Sequence, residues 1–373
     1  MNEQRLHIIT HDVPYPADFG GVIDLFYKIK WLNKVGVKIY LHCFVNKRST
    51  QEELNKYCET VNYYKRKKLL GFSFTIPFIV KSRTDKNLLN NLQKDNYPIL
   101  FEGIHTTYYL HQNLFTKRKV FLRLHNVEYK YYEQLAKNES NFIKKIYYKQ
   151  EAALLKKYER SIANKAAILT VSMEDVELFK QKFNAKNIRF LPVFLPHEQI
   201  KISGGTGSYC LYHVNLSINE NEQAAIWLIE QVFTDLQIPL IVAGRNPSKK
   251  FKNIAKQNRF LSVVDNPTEI NMQLLIQHAQ VNILPSFNKT GVKLKLLNAL
   301  YNGRHCIVNQ AGTEGSGLNE LCVIAETKDS FKKEIIKYFK IEFTQKEMQH
   351  RSTTLNKLYN NEQSVRIITD MLS

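Results

Sequence analysis

The run NILPSFNKTGVKLKLLNALYNGRHCIVN, residues 282–309, holds the side chains best placed to do chemistry. An apolar strand ends at Pro285, a loop follows, Gly291 opens a helix, and Gly303 closes it before the next strand. The first turn of a helix presents unpaired backbone N–H groups and a partial positive charge, and a glycine there lets an anion approach the backbone. Lys293 and Lys295 add two full charges. Lys295 and Asn298 lie three apart on one helical face, so a phosphate and a neighbouring ribose can be held together, with Thr290, Gly291 and Val292 closing from the loop. The plainer alternative is a surface helix with solvated lysines.

A second set of candidates lies in the first half of the chain. In DVPYPADFGGVIDLFYKIKWL, residues 12–32, Gly20 and Gly21 stand between a strand and a helix, where missing side chains admit a ligand to the helix N-terminus. Asp18 and His11 in the same loop are placed to contact a hydroxyl. His125 ends the run KVFLRLH and is followed by Asn126, while Glu102 and His105 lie at another strand end, FEGIH. The carboxyl edge of a parallel sheet is where ligands of open α/β folds collect. Against each stands the ordinary role of a packed or capping residue. Ser172 with Asp175 reads as a helix cap and is assigned to structure.

Elements that position these residues follow from periodicity. Short β-rich runs (LHIIT, VKIYLHCFV, PILFEG, KVFLRLH, AAILTVS, IRFLPV) alternate with amphipathic helical stretches, which predicts a doubly wound parallel sheet. The alternation restarts at YCLYHV and continues through a helix from Glu220 to Phe233, PLIVAG, FLSVV, VNILP, HCIVN and CVIA, a second Rossmann-like domain without a G-x-G-x-x-G fingerprint. At 373 residues two domains are expected. The boundaries read as an N-terminal domain over 1–199, a linker over 200–208, a C-terminal domain over 209–350, and a helical segment over 351–373 packing across the domains. GGTGS within the linker precedes a strand, whereas a phosphate loop follows one.

Lys and Arg exceed Asp and Glu by 53 − 34 = 19, so an anionic partner is expected. In YYKRKKLLGFSFTIPFIVKSR (63–83) and FIKKIYYKQEAALLKKYER (142–160), basic residues mix with aromatic and aliphatic ones, which suits an anionic membrane surface. A solvated face ranks second. Nucleic acid is set aside, because no RNA-binding signature accompanies the charge. The start MNEQRLHIITHD lacks the features of a secretory signal, and the longest apolar stretch is too short to span a bilayer. Five scattered cysteines predict a reduced compartment. Neither a D-x-D run nor a cluster with metal-ligand spacing occurs, so no metal is expected; oligomeric state is not legible.

The motifs together resemble family 4 type retaining glycosyltransferases of the GT-B architecture. TGVKLKLLNAL is similar to their donor helix, PYPADFGG to their acceptor-side loop, and FEGIH, LRLHNVE, YHVNLSINENEQAAIWLI and VAGRNPS to further elements in the family's order. The resemblance implies two Rossmann-like domains facing a cleft, in a cytoplasmic enzyme held peripherally at the inner membrane. It implies metal-independent transfer of mannose or a related hexose from a GDP- or UDP-sugar to a glycan or lipid-linked acceptor, with no other cofactor. His125 and Lys293 carry catalysis. Asn215, Arg245, Thr290, Gly291, Val292, Lys293, Lys295 and Asn298 hold the donor, and His11, Asp18, Gly20, Gly21, Glu102, His105 and Asn126 face the acceptor. Three features depart from the family: Thr290 and Asn298 replace the glutamates of an E-x7-E pair, Val214 replaces a glycine, and asparagines (Asn215, Asn219, Asn221) stand where Arg and Lys often hold the pyrophosphate. These departures admit the alternative of a catalytically degenerate GT-B-like glycan-binding or partner subunit.

Overall fold

The structure is a computed structural model that describes residues 3–18, 20–68 and 74–373. The chain forms two compact units, residues 1–196 with 359–373, and residues 197–358.

Unit 1 is built on seven parallel strands: β1 (Arg5–Thr10), β2 (Lys38–Val45), β3 (Thr60–Lys65), β4 (Ile99–Glu102), β5 (Val120–Leu124), β6 (Ala167–Thr170) and β7 (Ile188–Phe190), in the order β3-β2-β1-β4-β5-β6-β7. Side chains alternate across a strand, so both faces of this sheet are apolar. Leu6 and Ile8 enter one buried cluster with Ile39, Leu41 and Leu169. Ile9 enters the other with Phe101, Leu122 and Ile168. Helix α1 (Gly20–Lys34) buries Val22, Leu25, Phe26, Ile29 and Leu32, at helical spacing, and ends before Gly36, whose φ of 86° suits glycine. On the opposite face lie α2 (Glu128–Asn138) and α3 (Phe142–Ile162). Two turns apart on α3, Glu151 accepts the N–H of Phe78 and Glu159 that of Glu128, so one helix caps two others with its carboxylates.

Unit 2 carries six parallel strands: β8 (Cys210–Asn215), β9 (Leu240–Arg245), β10 (Leu261–Asp265), β11 (Val281–Ile283), β12 (His305–Val308) and β13 (Val323–Ile324), ordered β10-β9-β8-β11-β12-β13. In both sheets the strand order thus reverses once, between β1 and β4 and between β8 and β11, the switch point at whose carboxyl edge open α/β sheets bind ligands.

The domain limits differ from the expected ones. The division falls at Pro196–His197, and residues 200–208 belong to unit 2 instead of linking the units. Gly205 exchanges backbone hydrogen bonds with Phe343, and the Gly207 N–H donates to Gln280 Oε1 at 2.6 Å. A Cβ on Gly207 would lie 2.4 Å from the His278 carbonyl, so this glycine serves close packing rather than flexibility. The terminal segment also divides. Helix α5 (Gln345–Leu358) stays in unit 2, whereas α6 (Asn361–Leu372) returns to unit 1 and buries Val365, Ile368 and Leu372 beside α1.

Candidate functional site

In unit 2 the residues singled out by spacing gather after β11. Helix α4 spans Leu294–Asn302, so Gly291 does not open it. Gly291 lies in the preceding loop with a left-handed φ of 68°, and Lys293 is the N-cap residue. An incoming anion therefore meets the N–H groups of Leu294 and Lys295, which have no carbonyl one turn back to bond. The Lys293 ammonium donates to the carbonyls of Thr290 at 2.6 Å and Gly291 at 2.7 Å, bracing the loop while keeping its charge at the helix tip. Lys295 Nζ lies 5.6 Å from the centre of the Tyr212 ring. Burial pushes the Lys293 ammonium down to about 8. Burial and the neighbouring Lys293 charge do the same to Lys295, also to about 8. Two half-desolvated ammonium groups at a helix N-terminus form a site that gains from an anion.

The remaining donor candidates are distributed around this tip. Thr290 is committed locally, since both its N–H and its hydroxyl donate to Asn288 Oδ1 at 2.8 Å. Asn298 Oδ1 accepts from Gln273 and Asn302, an amide cluster in which Asn298 is tied rather than presented. Val292 follows Gly291 in the same loop. Asn215 and Arg245 are register partners at the carboxyl ends of β8, which neighbours β11, and of β9, one strand further out. The side chain of Asn215 folds into its own turn, accepting from the Ser217 N–H and hydroxyl. At the departure from family pattern, the Val214 carbonyl would lie 2.2 Å from a Cβ on Gly244, so here the close approach is met by a glycine on the neighbouring strand.

Unit 1 brings His11, Glu102, His105 and His125 together at the ends of β1, β4 and β5. The His11 ring lies 5.1 Å from that of His105 and 6.0 Å from that of His125, centre to centre. His125 Nε2 lies 3.1 Å from Asp24 Oδ2 and 3.4 Å from Glu102 Oε2. Lys28 Nζ donates to Asp24 Oδ2 at 2.9 Å and to Glu102 Oε1 at 2.7 Å. Arg123 grips both Asp24 oxygens at 3.2 Å, and Asp24 Oδ1 also accepts the Phe194 N–H at 2.7 Å. Asp24, Glu102 and His125 stand at metal-ligand spacing, and the countercharge among them comes from Lys28 and Arg123.

Electrostatics separate the three histidines. Burial, joined by the charges of His125 and Arg83, drives His11 down to about 3, and burial with Arg83 holds His105 well below its ordinary value. For His125 burial also acts downward, but the Asp24 and Glu102 carboxylates outweigh it and raise its pKa. Burial would raise Asp24, yet Arg123 and Lys28 hold it well below the carboxylate range. Next in the chain, Asn126 hydrogen-bonds the Glu128 carboxyl, which burial pushes up to about 7.

The other acceptor-side candidates are placed differently from expectation. Gly20 and Gly21 form the first turn of α1 instead of the loop before it. Asp18 is ion-paired with Arg48 at 2.7 Å. In the basic run 63–83, Tyr63 to Lys65 complete β3, and Tyr64, Ile79 and Val80 are core residues. That part of the run is structural, and residues 69–73 lie outside the described residues. On α3, Phe142, Ile143 and Ile146 are exposed beside Lys144, Lys145 and Lys149.

Asp24, Lys28 and Arg123 were missed by the sequence reading, as was His213, buried on β8 with Nε2 unpartnered among the described residues and driven down to about 3 by burial and Lys295. The available signal was charge inside apolar runs: Asp24 and Lys28 one turn apart in VIDLFYKI, Arg123 in VFLRL. Buried charges persist only when paired.

Residues 209–340, which hold all six strands of unit 2, match the family described as glycosyl transferases group 1. An uncharacterised 44.6 kDa protein in the cps region of Klebsiella pneumoniae is 26% identical over 356 residues, covering 90% of this chain and 91% of that one. Among solved structures, TarM from S. aureus in complex with fondaparinux, α-GlcNAc-glycerol and UDP aligns with a TM-score of 0.68 at 10% identity over 99% of this chain and 100% of that one. WaaG, a glycosyltransferase involved in lipopolysaccharide biosynthesis, aligns with a TM-score of 0.65 at 14% identity over 98% and 99%. The chain therefore has the GT-B fold of two Rossmann-like units, and its second unit carries the stretch that matches the glycosyl transferases group 1 family.

Proposed function

We propose that this glycosyltransferase moves mannose or a related hexose from a UDP- or GDP-sugar to a glycan or lipid-linked acceptor, with retention of anomeric configuration. The observation that carries this is the tip of α4, where Lys293, Lys295 and open backbone N–H groups converge within the matched domain. A diphosphate leaving group gathers negative charge as the glycosidic bond to phosphate breaks, and preoriented cationic donors stabilise that charge. Protein charge takes the part a divalent cation plays elsewhere, in keeping with a sequence that has no D-x-D run. The acceptor hydroxyl attacks from the leaving-group side and its proton passes to a phosphate oxygen. His125 and its neighbours at the unit 1 strand edge serve the reacting sugar and acceptor.

Calorimetric titration with UDP-, GDP- and ADP-sugars tests this reading. At least one is expected to bind at roughly micromolar to millimolar concentration, whereas indifference to all of them would leave only a glycan-binding or partner role. A polysaccharide acceptor is supported by the cps-region relative.

The acceptor's proposed lipid anchor accords with a second feature, the start of α3. Phe142 and Ile143 are 74% and 71% exposed beside Lys144, Lys145 and Lys149, and Phe74 is 82% exposed. Apolar side chains flanked by lysines suit peripheral attachment to an anionic membrane, each lysine adding about 1 kcal/mol near the surface. The inner membrane's cytoplasmic face is the proposed location. Among the described residues no helix is long and apolar enough to cross a membrane. Flotation should carry the protein with phosphatidylglycerol vesicles and not with phosphatidylcholine ones, and the triple change Phe142→Ser, Ile143→Ser and Ile146→Ser should abolish it. Unchanged flotation of that variant, or retention of RNA in a gel without vesicle binding, defeats the attachment.

A further inference from the structure

We propose that Asp24 and Glu102 are positioning residues that hold His125 as an imidazolium, with Nε2–H shared between their carboxylates and Nδ1–H left to donate to an oxygen of the sugar or acceptor. Its identification of the ligand rests on the glycosyl-transfer reading; the charge state of His125 does not.

The argument begins with hydrogen-bond accounting. Glu102 is fully buried, and its Oε1 is satisfied by Lys28. Its Oε2 is also buried and has no hydrogen-bond donor of good geometry among the described residues. An ionised carboxylate oxygen left in that state is costly, and His125 Nε2 lies 3.4 Å from it. Asp24 Oδ2, at 3.1 Å, asks for the same proton. Nε2 therefore carries hydrogen. With Nε2 committed, Nδ1 is the nitrogen available to a ligand, and the side chain is 16% exposed where the two carboxylates are 2% or less.

Whether Nδ1 also carries a proton depends on the charges around the ring. Facing it are Asp24 and Lys28 from α1, Glu102 from β4, Arg123 from β5, His11 after β1, His105 after β4, and Glu128 at the start of α2. Lys28 and Arg123 are bonded to the carboxylates themselves, so the imidazole meets both anions directly and the cations through them. His11 and His105 are held neutral by burial and the nearby charges. The arrangement favours a second proton on His125. A neutral His125 would instead offer Nδ1 as an acceptor, a different demand on the sugar's hydroxyls.

The test is a histidine-selective 13C and 15N NMR titration of the full chain, with His125→Asn used to assign the signal. His125 is expected to titrate above the free-imidazole value of about 6.5, and Glu102→Gln, which keeps shape and removes one charge, is expected to shift that titration downward. Asp24→Asn should shift it further, but Glu102→Gln suffices where Asp24→Asn does not fold. A wild-type His125 that titrates at or below the free-imidazole value, or one whose titration in folded Glu102→Gln is unmoved, overturns the proposal. In transfer assays the alkaline limb of turnover should follow His125 and move to lower pH in Glu102→Gln, with KM for the donor little changed. A protein that shows the NMR behaviour but transfers no sugar would sink the transfer reading and leave the positioning role standing.

Discussion

Replacing Lys293 by alanine is expected to lower turnover roughly 100- to 1,000-fold, the usual cost of removing a preorganised donor from a developing charge. Two losses combine. The ammonium at the α4 tip disappears, and with it the brace to the Thr290 and Gly291 carbonyls. Lys295→Ala should act in the same direction without loosening the loop, so comparing the two separates charge from architecture. The pair also fixes a pH dependence. Both ammonium groups are pushed down to about 8, and a bound diphosphate favours their charged forms. Nucleotide affinity should therefore be full well below pH 8 and fall as pH rises through it. At pH 8 binding should draw protons from solution, which calorimetry in buffers of different ionisation enthalpy measures directly. In Lys293→Ala, Lys295 loses its cationic neighbour and the fall should move to higher pH. Full activity in Lys293→Ala together with pH-independent binding would remove these lysines from the mechanism.

His125→Ala should reduce turnover roughly 100- to 10,000-fold, the range found for positioned groups that exchange or donate protons. Nucleoside diphosphate affinity should hardly change, because the proposed diphosphate contacts lie in unit 2 and His125 in unit 1. That split is the informative outcome. A variant that loses affinity for the diphosphate as much as it loses turnover would mean that His125 supports folding or nucleotide binding rather than the reacting sugar. His125→Gln, which retains one neutral donor, should fall between the two, since the wild-type ring is raised toward its charged form by Asp24 and Glu102.

Much of the architecture was legible because both sheets are parallel and buried on two faces, so their strands are written as apolar runs separated by helical patterns. LHIIT, KVFLRLH and VNILP all mark true strands. β3 was passed over, because TVNYYK is an edge strand with mostly half-buried side chains and its residues shade into a basic run. The same overlap made 63–83 look like one surface, although Tyr64 belongs to the core and bonds His42 there. GGTGS looked like a flexible joint, since composition does not distinguish glycines that bend from glycines that allow contact; Gly207 is of the second kind. At the site, Lys293 and Lys295 were visible through their helix, but the helix start was misplaced by three residues because Gly291 takes a left-handed conformation before it. His125 was visible at its strand end. Its link to Asp24, and that of Asp24 to Arg123, were not, because pairing among residues about a hundred positions apart leaves no periodic trace.

The central claim is that a nucleotide's diphosphate sits against the first turn of α4. A crystal structure of the chain with UDP or GDP measures this most directly. The account predicts phosphate oxygens within hydrogen-bond distance of the Leu294 or Lys295 N–H and of at least one of the Lys293 and Lys295 ammonium groups. A nucleotide bound elsewhere, with both lysines turned away from its phosphates, would contradict it.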